Sequence, residues 1–120
     1  MARTILVVDD EAIARRFMER ALTAEGYHVL LANDGEEALD VLRTSRRKIS
    51  LVITDLVMPG MGGHAFAIEV ARLRPPPPVL YISAYEAPQG DMAKRFLQKP
   101  FTVEALAKAV RTLLPQQQPK

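Results

Sequence analysis

Ile5-Leu6-Val7-Val8-Asp9-Asp10-Glu11 is the stretch that decides the fold: four aliphatic residues run unbroken into three carboxylates. Side chains on a strand point alternately to its two faces, so a continuous apolar run predicts burial on both, as in a parallel sheet. The acids after it mark the carboxyl end of that strand as polar. The same kind of run recurs at Val29-Leu30-Leu31, Leu51-Val52-Ile53 and Val79-Leu80-Tyr81-Ile82, and a weaker one, Phe96-Leu97, precedes Gln98-Lys99-Pro100. Each is about a strand long and aliphatic or β-branched.

Helix-period segments lie between the runs. In the first, Ile13, Phe17 and Ala21, with Met18 and Leu22 beside them, form one stripe, and Gly26 comes after it as a C-cap. The second starts at Asn33-Asp34 and carries Ala38, Leu39 and Leu42 inward. The third carries Phe66, Val70 and Leu73 and is stopped by Pro75-Pro76-Pro77-Pro78, since proline lacks the N–H and clashes with the preceding turn. The last is capped by Thr102 and has the stripe Val103, Leu106, Val110 and Leu113.

Strand and helix thus alternate through the chain, which predicts an α/β fold: a flavodoxin-like doubly wound, five-stranded parallel sheet in the order 2-1-3-4-5. The fourth crossover is the exception. Only residues 84–94 separate Ser83 from the fifth strand, and Pro88 and Gly90 interrupt them. The longest unbroken helical candidate, Asp91 to Arg95, reaches roughly 7 Å at ~1.5 Å per residue. We therefore expect a shortened or missing fourth helix, residues 84–94 mobile, and the usual output face altered. With that face altered, a monomer whose partner contacts use the first or last helix is expected.

A chain of 120 residues holds one compact domain, placed at 1–114, with 115–120 as a polar tail or the start of a linker. Hydrophobic residues make up 48 % and charged residues 25 %, which is globular composition and excludes wholesale disorder. The net charge of +2 is too slight to argue for a nucleic-acid or membrane partner. No cysteine is present, so disulfides and thiolate metal sites are excluded. No apolar run approaches the ~20 residues of a membrane span, and Met1-Ala2-Arg3-Thr4 leads into the first strand without the layout of a signal peptide. A cytoplasmic location is expected.

Ligands of open α/β sheets bind at the carboxyl ends of the strands. There the sequence places Asp9-Asp10 after the first strand, Asp55 after the third, Ser83 at the end of the fourth and Lys99 after the fifth. Singly, each has an ordinary role: a strand-end Asp caps turns, a Ser is structural, a lysine is solvated. His28 and His64 lack a partner at ligand spacing and are read as structural. Together the strand-end residues gather three carboxylates, a hydroxyl and an ammonium in one crevice. Two carboxylates about 4 Å apart repel by about 4 kcal/mol at an effective dielectric of ~20. A lysine offsets part of this; a hard divalent cation such as Mg²⁺ offsets more. The same groups suit phosphoryl transfer with an aspartate as nucleophile.

These motifs resemble the receiver domains of bacterial response regulators: Ile5 to Glu11, then Asp55-Leu56-Val57-Met58-Pro59-Gly60-Met61, Ile82-Ser83-Ala84 and Lys99-Pro100-Phe101. The resemblance implies that Asp55 is the phosphoacceptor. It implies Mg²⁺ ligation by Asp10 and Asp55, by Asp9 mainly through a metal-bound water, and by the backbone carbonyl of Val57. Ser83 is implied to reorient toward the phosphoryl group, Lys99 to pair with Asp55 before phosphorylation, and Phe96 to be the aromatic switch. A cis Lys99-Pro100 bond is implied too. So is a phosphodonor, either a sensor histidine kinase or a histidine phosphotransfer protein. Phe96-Leu97-Gln98-Lys99-Pro100-Phe101-Thr102 looks most like receivers of hybrid sensor kinases. Gly62 stands where the family commonly has Asp, and Phe96 where many members have Tyr.

Two other classes compete. A degenerate receiver that only docks a partner would have lost the acceptor, an acid-pair residue or the lysine, and all are present. A flavin protein or small phosphatase is disfavoured by Asp9-Asp10-Glu11, which repels a cofactor phosphate and lacks a phosphate cradle's composition. A phosphatase of the Asp-x-Asp type also needs a second Asp two residues after its nucleophile, and the residue two beyond Asp10 is Ala12.

Overall fold

Every residue of β1 (Thr4–Val8) is buried, and its side chains divide by parity between two cores. Ile5 and Val7 face one, Leu6 and Val8 the other, which is how a continuous apolar run is used in a sheet covered on both sides. The computed structural model describes residues 2–85 and 90–114. After β1 the order is α1 (Ala12–Ala24), β2 (His28–Ala32), α2 (Gly35–Thr44), β3 (Ile49–Asp55), α3 (Gly63–Ala71) and β4 (Val79–Ser83). A 3₁₀ helix (Gly90–Arg95), β5 (Phe96–Gln98) and α4 (Val103–Leu113) complete it. The strands pair in parallel in the order β2-β1-β3-β4-β5, as expected.

α1 and α4 close one face, where Met18, Leu22, Leu106 and Val110 pack on Leu51, Ile53, Leu80 and Ile82. α2 and α3 close the other through Ala38, Leu39, Phe66 and Val70. Phe66 is fully buried and alone contributes about 1.5–3 kcal/mol.

The helix ends obey local chemistry. The Asp34 carboxylate accepts from the Glu37 N–H at 2.8 Å, and Thr102 Oγ1 accepts from the Ala105 N–H at 3.0 Å. Gly26, at φ +96°, ends α1 as expected: its N–H and that of Tyr27 donate to the carbonyls of Thr23 and Leu22. That is a Schellman turn, which needs the left-handed conformation glycine adopts without strain.

The fourth crossover is shortened, as its composition predicts. No α-helix forms there among the described residues; the 3₁₀ helix has no buried residue, and Met92 only packs against the core from the side. The expected mobility of residues 84–94 falls partly on 86–89, and the expected tail on 115–120; both stretches lie outside the described residues.

Three packing expectations are corrected. Ile13 is 84 % exposed and Phe17 40 %, so α1 buries its second half and its first turns stand clear of the sheet. Val103 is likewise exposed at the start of α4. α3 ends at Ala71, before the proline run, and Leu73 reaches the core from beyond the helix.

Candidate functional site

Strand register builds the site. Val8 pairs with Thr54, which sets Asp9 beside Asp55. Asp55 pairs with Ile82 and Ser83 with Gln98, which sets Ser83 and Lys99 one step further out on their strands. Backbone bonds continue the ladder past the strand ends: the Leu56 N–H donates to the Ile82 carbonyl at 3.0 Å and the Lys99 N–H to the Ser83 carbonyl at 2.8 Å.

Lys99 Nζ donates to Asp55 Oδ2 at 2.7 Å and to Asp9 Oδ2 at 2.8 Å. Asp9 is fully buried and Asp55 nearly so. The other carboxylate oxygens are also occupied: Asp9 Oδ1 accepts from the Glu11 N–H and Asp55 Oδ1 from the Val57 N–H, each at 2.9 Å. Arg15 donates to the Asp9 carbonyl at 2.6 Å and pins the loop from outside. Ser83 is buried, and its hydroxyl oxygen accepts from the Tyr85 N–H at 3.1 Å. The Lys99-Pro100 bond is cis, as the resemblance implies, and so is Arg74-Pro75, which the sequence does not signal.

Burial pushes the Asp9 carboxyl above its usual range, against the pull of Lys99 and the Glu11 N–H. Burial pulls the Lys99 ammonium down, but its hydrogen bonds and charge contacts with Asp55 and Asp9 outweigh that and hold it above its usual value. The lysine therefore stays charged between two carboxylates.

Asp9, Asp10 and Asp55 each present an oxygen, and these atoms lie within 4.8 Å of one another; Asp10 is the exposed member. An all-oxygen donor set facing solvent on one side fits a hard cation that keeps several waters, as Mg²⁺ does. The structure thus brings together Asp9, Asp10, Asp55, Ser83 and Lys99, with Val57 tied to Asp55 by its N–H. Phe96 stands apart, half-buried on β5 beside Tyr81, its partner across the ladder.

Two features of the site escape a sequence reading. Asp9 accepts directly from Lys99, a contact that sequence spacing does not reveal. Gly63, the first residue of α3, lies so close to β3 that a Cβ there would sit 2.5 Å from the Asp55 carbonyl oxygen and 2.7 Å from Leu56 Cα. The helix is seated directly on the backbone of Asp55 and Leu56, and the Gly62-Gly63 pair is the only signal of it in the sequence.

The family model described as response regulator receiver domain matches residues 5–111. The sensor kinase CckA of Brucella abortus is 32 % identical over 120 residues, covering 95 % of this chain and 13 % of that protein. The chemotaxis response regulator CheY4 of Vibrio cholerae superposes with a TM-score of 0.84 at 29 % identity, covering 95 % of this chain and all of that one. The response regulator TrrA of Thermotoga maritima, in complex with Mg²⁺-BeF, gives 0.82 at 32 % identity over 93 % of this chain and 99 % of that one. The chain spans about half the length, or less, of the curated relatives it matches. Among the described residues no helix is long and apolar enough to cross a membrane.

Proposed function

The chain belongs to the response regulator receiver domain family, and from that premise we propose that residues 1–114 take a phosphoryl group from a phosphohistidine onto Asp55 and switch a partner-binding surface. The donor is a sensor histidine kinase or a histidine phosphotransfer protein, in the cytoplasm, and the domain acts as a monomer. The observation that carries this reading is the Lys99 ammonium held at 2.7 Å from Asp55 and 2.8 Å from Asp9.

An Asp55 carboxylate oxygen attacks phosphorus, the phosphorus–nitrogen bond breaks, and the electron pair leaves with the imidazole. The product is an acyl phosphate. Lys99 pairs with Asp55 beforehand and with a transferred oxygen afterward. Ser83 turns its hydroxyl proton to the same group. Asp9, Asp10, Asp55 and the Val57 carbonyl would hold Mg²⁺, which when bound neutralises charge on the phosphoryl oxygens; the Mg²⁺-BeF complex of TrrA supports that choice of metal. Phe96 is the switch residue. It has no hydroxyl, so its outward rotamer offers no hydrogen bond. The domain is a phosphoacceptor that assists its own phosphotransfer and dephosphorylation, rather than a turnover enzyme. The degenerate docking alternative has no missing site residue to support it.

Intact-mass measurement after treatment with a small phosphodonor and Mg²⁺ tests the assignment. One phosphoryl group is expected on the wild type and none on Asp55→Asn; full labelling of the variant would refute Asp55. The acyl phosphate is expected to be long-lived, because Val57 and Tyr85, both exposed beside the site, are poor at positioning an attacking water. Val57→Asn is expected to speed decay; an unchanged or slower rate would count against that reasoning.

A further inference from the structure

The pole opposite Asp55 carries a cleft that phosphoacceptor chemistry does not use. It lies at the amino ends of β1, β3 and β4 and has a volume of about 970 Å³. Asp55 stands at the far end of β3, roughly 20 Å away at ~3.3 Å per residue.

Five cations line the cleft: Arg3, Arg46, Arg47, Lys48 and Arg74. They come from three separate segments, and no Asp or Glu is among the lining residues. None of the five forms an ion pair among the described residues. The Ser45 hydroxyl donates to the Arg47 carbonyl at 3.0 Å and accepts from the Arg47 N–H at 3.1 Å, which folds the basic loop into a fixed turn. Unneutralised charges of one sign around a concavity focus their field into it. Four of the five are arginines, whose planar forks match carboxylates two bonds at a time.

The floor is aliphatic. Leu42, Ile49 and Leu73 form it, and Pro75 to Pro78 make the wall. Prolines have no N–H to satisfy and present rigid apolar rings. The lining contains no aromatic ring, so it lacks the stacking platform that bases require. A basic rim over an aliphatic floor matches an extended segment carrying both carboxylates and aliphatic side chains.

We propose that this cleft docks an acidic, leucine-type peptide segment of a partner protein, with its aliphatic side chains on Leu42, Ile49 and Leu73 and its carboxylates on the arginines. The acceptor pole stays free, so a partner can be held here while Asp55 reacts.

The test is a titration of the isotopically labelled protein with a peptide of alternating glutamate and leucine, monitored by amide chemical shifts. The expected result is saturable shifts at residues 42–50, Leu73, Arg74 and Val79 and none around Asp55. Arg47→Glu with Arg74→Glu is expected to weaken binding roughly tenfold or more, because two attractions become repulsions. That variant should retain its melting temperature and Asp55 labelling. A peptide with glycine in place of leucine is expected to bind more weakly. Shifts that map elsewhere, equal binding by the glycine peptide, or unchanged affinity in the double variant would each overturn the proposal. Tighter binding of ATP than of the peptide, without Mg²⁺, would assign the cleft to nucleotides instead.

Discussion

The two segments that flank β5 could hardly differ more. The one after it is α4, capped by Thr102 and burying Leu106, Ala107 and Val110. The one before it is a single 3₁₀ helix with no buried residue. Yet each adjoins half of the same site, Ser83 entering the short crossover and Lys99 opening the connection to α4. The pairing of Ser83 with Gln98 and the bond from the Lys99 N–H to the Ser83 carbonyl fix that geometry without either helix. Site geometry and crossover length are therefore separable: the ladder sets the first, and the second only decides how well one face of the sheet is covered.

Leu106→Ala gives the largest contrast. It is expected to cost about 2–5 kcal/mol in urea unfolding, because the side chain is fully buried between α4 and the sheet. A cost under about 1 kcal/mol would mean that α4, too, is only a cover. Next is the metal. At tenfold excess over its dissociation constant, Mg²⁺ is expected to stabilise the wild type by about 1.4 kcal/mol. Asp10→Ala should abolish most of that gain, whereas Met92→Ala should keep it. Loss of the gain in Met92→Ala would show that the short crossover does shape the site. Thr102→Ala, which removes the cap bond to Ala105, is expected to cost about 1 kcal/mol. Met92→Ala itself should cost less than about 1 kcal/mol, since that side chain is half exposed. Hydrogen exchange completes the comparison: amides of 90–94 should exchange faster than those of 103–113, and equal protection would erase the distinction.

Much of this is legible in the residue order. Continuous apolar runs mark the strands, and acids, serine and lysine directly after them mark the site, because a parallel sheet brings strand ends together. The short crossover is legible from spacing and from Pro88 and Gly90. What residue order does not convey is where an element overhangs its neighbours. Ile13 and Phe17 share a helical stripe with Ala21 and Met18–Leu22 lies beside it, but the stripe says nothing of where the sheet beneath it ends. Phe17 instead meets Phe101 edge to face, ring centres 6.0 Å apart. Periodicity likewise carries Leu73 into α3, although the chain leaves the helix at Ala71 and still brings Leu73 to the core. The sharing of Lys99 between two carboxylates depends on ångström-scale placement, which no spacing rule encodes.

Gly63 has a mechanical consequence. Elsewhere in the fold, helices rest on the sheet through layers of side chains that can change rotamer and absorb small displacements. At the start of α3 no such cushion exists: backbone meets backbone at Asp55 itself. The joint between α3 and β3 is stiff in compression, so any push on the Asp55 carbonyl toward the helix is transmitted undamped to its first turn.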